Sequence, residues 1–124
     1  MSFQNNMATL IQTKLSSGTT FSIYNELAPE DATFPYAVYT FGPSFTVNEI
    51  ETYTLNINLW DRNWNGDDIR DFTDDIDNKL NKTYFTSSGY GYQIDRINIL
   101  TLPAEGEFKG RELKYAIRVT RRIE

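Results

Sequence analysis

The sequence predicts an α+β fold: a mostly antiparallel sheet of about four to five strands with two amphipathic helices packed on it. Two stretches space their apolar residues at helical intervals, and several others alternate at the period of a strand. The aromatic share is 15%, with eight Tyr and eight Phe, and aromatic enrichment favours sheet.

From Phe3 to Leu15 the apolar positions Phe3, Met7, Leu10, Ile11 and Leu15 fall on one helical stripe. Ser2 can cap its start and Gly18 suits its end. Thr19 to Tyr24 alternates Phe21 and Ile23 with polar residues, a short strand. Phe34 to Phe41 is apolar on both parities, as a central strand covered on each side would be. Pro35 fits at its start, where no ladder donor is needed. After Gly42, Pro43 and Ser44, residues 44–52 read as a long hairpin tip or a mobile loop. Tyr53, Leu55, Ile57 and Leu59 then alternate with Thr54, Asn56, Asn58 and Trp60, the clearest half-buried strand.

Asp67 or Asp68 should cap the second helix, whose stripe is Ile69, Phe72, Ile76 and Leu80 and whose outer side carries Asp71, Asp74, Asp75 and Asp77. Thr83 to Gly91 reads as a Ser/Gly/Tyr loop. Tyr90 to Leu102 is a strand whose apolar parity switches between Ile94 and Ile97, the mark of a bulge. Pro103 is expected to end it. The last strand should bury Leu113, Tyr115, Ile117, Val119 and Ile123 and expose Lys114, Arg118 and Arg122.

With 124 residues, one domain spanning 1–124 is expected, large enough to fold without a staple. The absence of Cys and His removes thiol nucleophiles, disulfides, zinc sites of the usual kind and histidine acid–base catalysis. An enzyme would have to work with carboxylates, Lys, Tyr or Ser, so the expectation is no enzyme, no catalytic residue and no cofactor. No apolar run is long enough to span a bilayer, and the first ten residues lack a signal core, so the chain is expected to stay in the compartment where it is made. Charge is uneven. Residues 1–94 carry twelve acids and five bases, a balance of −7, while residues 95–124 carry five acids and seven bases, a balance of +2. Overall acidity argues against a sequence-specific DNA binder.

Asp61, Asn63, Asn65 and Gly66 copy the first half of an EF-hand loop. The twelfth position, which should be a bidentate Glu, is Phe72, so a polar strand-to-helix turn is the better reading and no metal site is assigned. Asp68, Asp71 and Asp75 share a helix face, as a solvated acidic face or a magnesium site would; without a His the solvated face is preferred. Trp60 and Trp64 bracket the turn and are read equally as core packing or as interface anchors. Tyr84, Tyr90 and Tyr92 could stack on bases, but only Lys82 and Arg96 stand near them in sequence, and packing on a neighbour or on the sheet is preferred. The acceptor pattern Asn81, Lys82, Thr83 has no meaning without a secretion signal.

The order of these parts is distinctive: a strand opened by the aromatic–proline step Phe34–Pro35, a strand ending in Trp60–Asp61, a strongly acidic amphipathic helix, and a final strand LKYAIRVTRRI. It resembles the tail-terminator and tail-completion (head–tail joining) proteins of tailed bacteriophages over nearly the whole chain, with no short catalytic motif carrying the likeness. The resemblance implies a structural virion protein, assembled in the host cytoplasm into the tail or neck region, that forms a hexameric ring capping the tail tube and joining it to the head connector. Its implied partners are further copies of itself, the tail tube protein and the connector, with DNA passing through the lumen without specific binding and no membrane involved. A body of this size is roughly 35 Å across, and six in a ring leave a hole wide enough for a double helix. The alternatives are another neck or head-completion protein of the same fold and, in a different class, a small carboxylate-based enzyme or ligand-binding domain. Subunits are expected to meet through sheet edges or aromatic side chains, with Tyr39, Trp60 and Trp64 as candidate anchors and Asp71, Asp74 and Asp75 facing Arg118 and Arg122 of a neighbouring copy.

Overall fold

The computed structural model describes residues 3–17, 22–27, 35–47, 50–61, 67–87, 89–105 and 108–121. The chain runs α1 (Phe3–Ser16), β1 (Ser22–Asn25), β2 (Tyr36–Val47), β3 (Ile50–Asp61), α2 (Asp67–Leu80), β4 (Thr83–Ser87), β5 (Tyr90–Glu105) and β6 (Phe108–Arg121). The six described strands form one sheet in the order β1-β2-β3-β6-β5-β4.

One hydrophobic core lies between one sheet face and the two helices. Along β3 the burial alternates strictly, with Tyr53, Leu55, Ile57 and Leu59 inside. Ala37 and Tyr39 of β2, Leu113, Tyr115, Ile117 and Val119 of β6, and Tyr92 and Ile94 of β5 continue that face across the sheet. Met7, Ile11 and Leu15 cover it from α1, and Ile69, Phe72, Ile76 and Leu80 from α2. These helical residues sit three and four apart, so each helix turns one stripe inward. Polar bonds fix the layers: the Lys79 ammonium donates to the Leu15 carbonyl at the end of α1 (3.0 Å), and Lys14 sits 5.0 Å above the Phe85 ring of β4.

The expected sheet needs correction. Strands dominate the fold, and a mixed sheet curled into a half-barrel replaces the mostly antiparallel one of four to five strands. β1 pairs parallel with β2, Ser22 beside Tyr36 through Asn25 beside Tyr39. β6, last in sequence, inserts between β3 and β5, and such insertion leaves no local trace in composition. The segment read as a loop after α2 contains β4, which pairs Phe85 with Tyr92 and stacks their rings 5.0 Å apart; its pairing comes from the partner strand rather than from its own apolar pattern. Pro103 does not end β5, because a register shift between Leu102 and Glu105 accommodates it. Residues 44–47 and 50–52 are paired hairpin arms, Ser44 with Tyr53 out to Val47 with Ile50. The parity switch in β5 coincides with a register shift between Arg96 and Asn98.

Candidate functional site

A polar seam joins α2 to the sheet. The Tyr115 hydroxyl donates to Asp77 Oδ1 at 2.9 Å, and the Arg96 guanidinium donates to Asp77 Oδ2 at 2.9 Å. The Arg96 backbone N–H is capped by the Asn81 side-chain oxygen at 2.9 Å. Burial, followed by the hydrogen bond to Asp77 and its negative charge, holds the Tyr115 phenol well above its ordinary pKa, while Arg96 pulls in the opposite direction. A neutral phenol bonded to a carboxylate already shared with Arg96 is a clamp between layers, and the two clefts beside α1 are lined by other residues. Among the described residues no group of three or more acidic side chains is placed to hold a metal ion. Asp61, first of the EF-hand-like string, is buried at the end of β3, and residues 62–66 lie outside the described residues.

The sequence-derived interface residues are dispersed. Tyr39 lies in the core, 1% exposed, with its ring edge-on to Phe41, so it offers no surface to a neighbour. Trp60 is half-buried on the sheet face opposite the helices, in register between Tyr36 and Gly110. Asp71 and Asp74 are exposed on α2. Asp75 is paired with Lys79 one turn later (2.9 Å), and Arg118 reaches Asp95 of β5 (3.0 Å). Arg118 also lies on the face opposite the helices, because its neighbours Ile117 and Val119 point into the core. Trp64 and Arg122 lie outside the described residues. Of the three tyrosines weighed for base stacking, Tyr92 is buried and Tyr84 exposed, on opposite faces of the sheet.

Sequence reasoning named sheet edges as a way for subunits to meet, but not which strands form them. β4 covers β5 only from Tyr90 to Ile94, and no described strand pairs with that side of residues 97–101, where Ile97, Ile99 and Leu100 are exposed. β1 covers β2 only from Tyr36 to Tyr39, leaving that side of residues 40–47 without a described partner strand and Phe45 exposed. Beside this second open run lies a cleft of about 470 Å³ bordered by Met7, Ala8, Glu26, Phe41, Ser44 and Tyr53. The one available signal was the apolar character of both parities after the switch in β5: Ile97, Ile99 and Leu100 cannot all face one core.

No family model and no curated protein sequence matches the chain. Among solved structures, a chain from the virion of a native gene transfer agent (GTA) particle is similar with a TM-score of 0.61 and 12% sequence identity, over 94% of this chain and 90% of that one. At that identity the likeness is one of fold: the chain shares its architecture with a virion component.

Proposed function

We propose that the chain is a structural virion protein, a tail-terminator or tail-completion subunit whose copies form a hexameric ring capping the tail tube and joining it to the head connector. One observation carries the virion role: the fold is shared, nearly end to end, with a component of a gene transfer agent virion. The order of elements that resembles the terminator family supports the finer assignment. The surface is compatible with assembly, offering exposed apolar side chains at open sheet edges and exposed acids on α2, and the polar seam is saturated by its own partners. In this reading the chain is no enzyme, and its partners are its own copies, the tube and the connector, with the duplex passing through an acidic lumen that does not attract phosphates.

The test is removal of the chain from the particle that encodes it. A terminator predicts tails of uncontrolled length and few joined particles; another neck or head-completion protein predicts tails of normal length beside unjoined heads. Added purified protein should restore joining in either case. Normal, infectious particles made without the chain would overturn the virion role.

A further inference from the structure

We infer that copies of this chain join edge to edge, the open run of β5 in one copy adding as a strand to the open run of β2 in the next. This rests on the proposal that the chain assembles with itself, and it names the surface that does so.

The two edges are complementary in four respects. The first is placement. Across the sheet, Leu100 lies in the row of Glu112, Asn58 and Val38, at the end where β1 covers β2. Phe45 lies in the row of Thr52, Arg118 and Gln93, at the end where β4 covers β5. Among the described strands each edge is therefore half covered, at opposite ends, and copies offset along the strands interlock with a short strand filling each remaining half. The same offset at every junction is the stagger that tilted strands need to close into a barrel.

The second is direction. β2 is antiparallel to β3, β3 to β6, and β6 to β5, so β5 runs opposite to β2. A neighbouring copy in the same orientation presents its β2 antiparallel to this copy's β5, as a strand ladder accepts.

The third is side-chain face. Ile99 pairs with Leu113 on the core side of the sheet, and Leu100 with Glu112 on the other. The cleft beside β2 opens under α1, on the core side, with Met7 and Tyr53 in its wall. Phe45, paired with Thr52, faces the other way. In the joined sheet Ile99 enters the cleft and Leu100 falls beside Phe45, covering apolar groups now 36%, 52% and 56% exposed, respectively.

The fourth is where the covering strands stop. The only described non-glycine residues with left-handed backbone are Glu26 (φ 68°) and Lys82 (φ 58°). Glu26 follows the last residue of β1, after its N–H has bonded the Tyr39 carbonyl (2.9 Å). Lys82 precedes the first residue of β4. At Glu26 this conformation turns the chain out of the ladder with β2, and at Lys82 it closes α2, where a left-handed residue is a usual helix end, and sets the start of β4. Unprotected edges of this kind are normally blunted by charge or proline; residues 97–101, Ile-Asn-Ile-Leu-Thr, contain neither, and in the β2 run the one proline, Pro43, lies at the register shift before Ser44–Val47. A head-to-tail contact between two different surfaces generates a ring once its rotation closes.

The absence of cysteine gives a clean test. Phe45→Cys and Leu100→Cys are combined in one chain and treated, at protein concentrations up to about millimolar, with a bis-maleimide spanning about 8 Å, enough for a mismatch of two residues along a strand. The expected result is a ladder ending in a closed ring, at least ten times the yield of higher species from either single-cysteine chain. As a second measurement, a donor-blocked chain (Ile99→Lys with Leu100→Lys) mixed with a cleft-blocked chain (Ala8→Trp) should give dimers and nothing larger, since only one intact junction remains. Oligomers by light scattering without a ladder would overturn the edge pairing while leaving self-assembly standing. Monomers without cross-links would overturn the edge pairing, and the virion role would still be decided separately by particles lacking the chain.

Discussion

Tyr115 of β6 and Asp77 of α2 meet at 2.9 Å, the phenol donating to the carboxylate across the boundary between the sheet and the helix layer. The two residues are far apart in sequence, and the bond fixes the axial position of α2 over β6, the strand that lies between β3 and β5. Tyr115→Phe keeps the ring and removes the donor. A hydrogen bond to a charged acceptor contributes about 1.5–3 kcal/mol; because Asp77 keeps Arg96, the lower end applies. The expected outcome is a melting temperature lower by about 5 °C with an unchanged far-ultraviolet spectrum, read by thermal circular dichroism. A shift below one degree would mean that the bond is replaced by water without cost.

The same phenol makes stability fall in alkali. The pKa of Tyr115 in the folded state lies above its unfolded value, through burial first and Asp77 second, and burial raises Tyr39, Tyr53 and Tyr92 in the same direction. Above about pH 10 the unfolded chain releases phenolic protons that the folded chain retains, so the unfolded state binds fewer protons and stability declines with rising pH. The contribution is fully present below pH 10 and is lost as pH climbs toward the folded values. Urea midpoints measured from pH 8 to 11 should fall more steeply above pH 10 for the wild-type chain than for Tyr115→Phe; parallel curves would remove Tyr115 as a cause.

Much of the fold is legible in the sequence wherever one face of one element decides the pattern. The stripe Ile69, Phe72, Ile76 and Leu80 is wholly buried, the alternation in β3 is realised at every core position, and the parity switch after Ile94 marks a register shift in β5. Properties that belong to a pair of distant segments are hidden. The parallel partner of β2, the insertion of β6 and the existence of β4 all depend on which strand lies alongside. The same limit applies to the site. Asp75 and Arg118 look like available charges in sequence, yet Lys79 and Asp95 occupy them. Among the described residues the edges are open where β1 and β4 stop halfway along longer neighbours.

Backbone conformation around the β4–β5 turn separates two glycines. Gly89 has φ +83° with open space around the position of a Cβ, so Gly89→Ala fails through backbone strain alone, at about 1–2 kcal/mol. At Gly91 a Cβ would stand 2.8 Å from the Tyr84 hydroxyl, the far end of a side chain that is 66% exposed and can swing aside. Gly91→Ala should cost less than about 0.5 kcal/mol. Denaturant midpoints of the two variants decide it, and the reverse ranking would show that Tyr84 is held in place.

Among the described side chains of α2, Asp71 and Asp74 are the acids free to meet another component. Both are exposed on the side of the helix away from the core, whereas Asp75 is held by Lys79 and Asp77 by Tyr115 and Arg96. Arg118 faces away on the opposite side of the sheet, so in a ring built from continuous sheets the α2 acids would look outward from the sheet and contact the tube or connector rather than a neighbour's β6. Complementary charge of this kind accelerates encounter and fixes register more than it adds affinity, and exposed charges are screened by salt. Asp71→Lys with Asp74→Lys should leave the melting temperature and the cross-linked ring of Phe45→Cys/Leu100→Cys unchanged. It should slow joining of heads to tails about tenfold at low ionic strength, and the difference should shrink as salt is raised toward 0.5 M. Equal joining rates at every ionic strength would show that the α2 face is solvated in the particle; loss of the ring itself would place α2 between subunits.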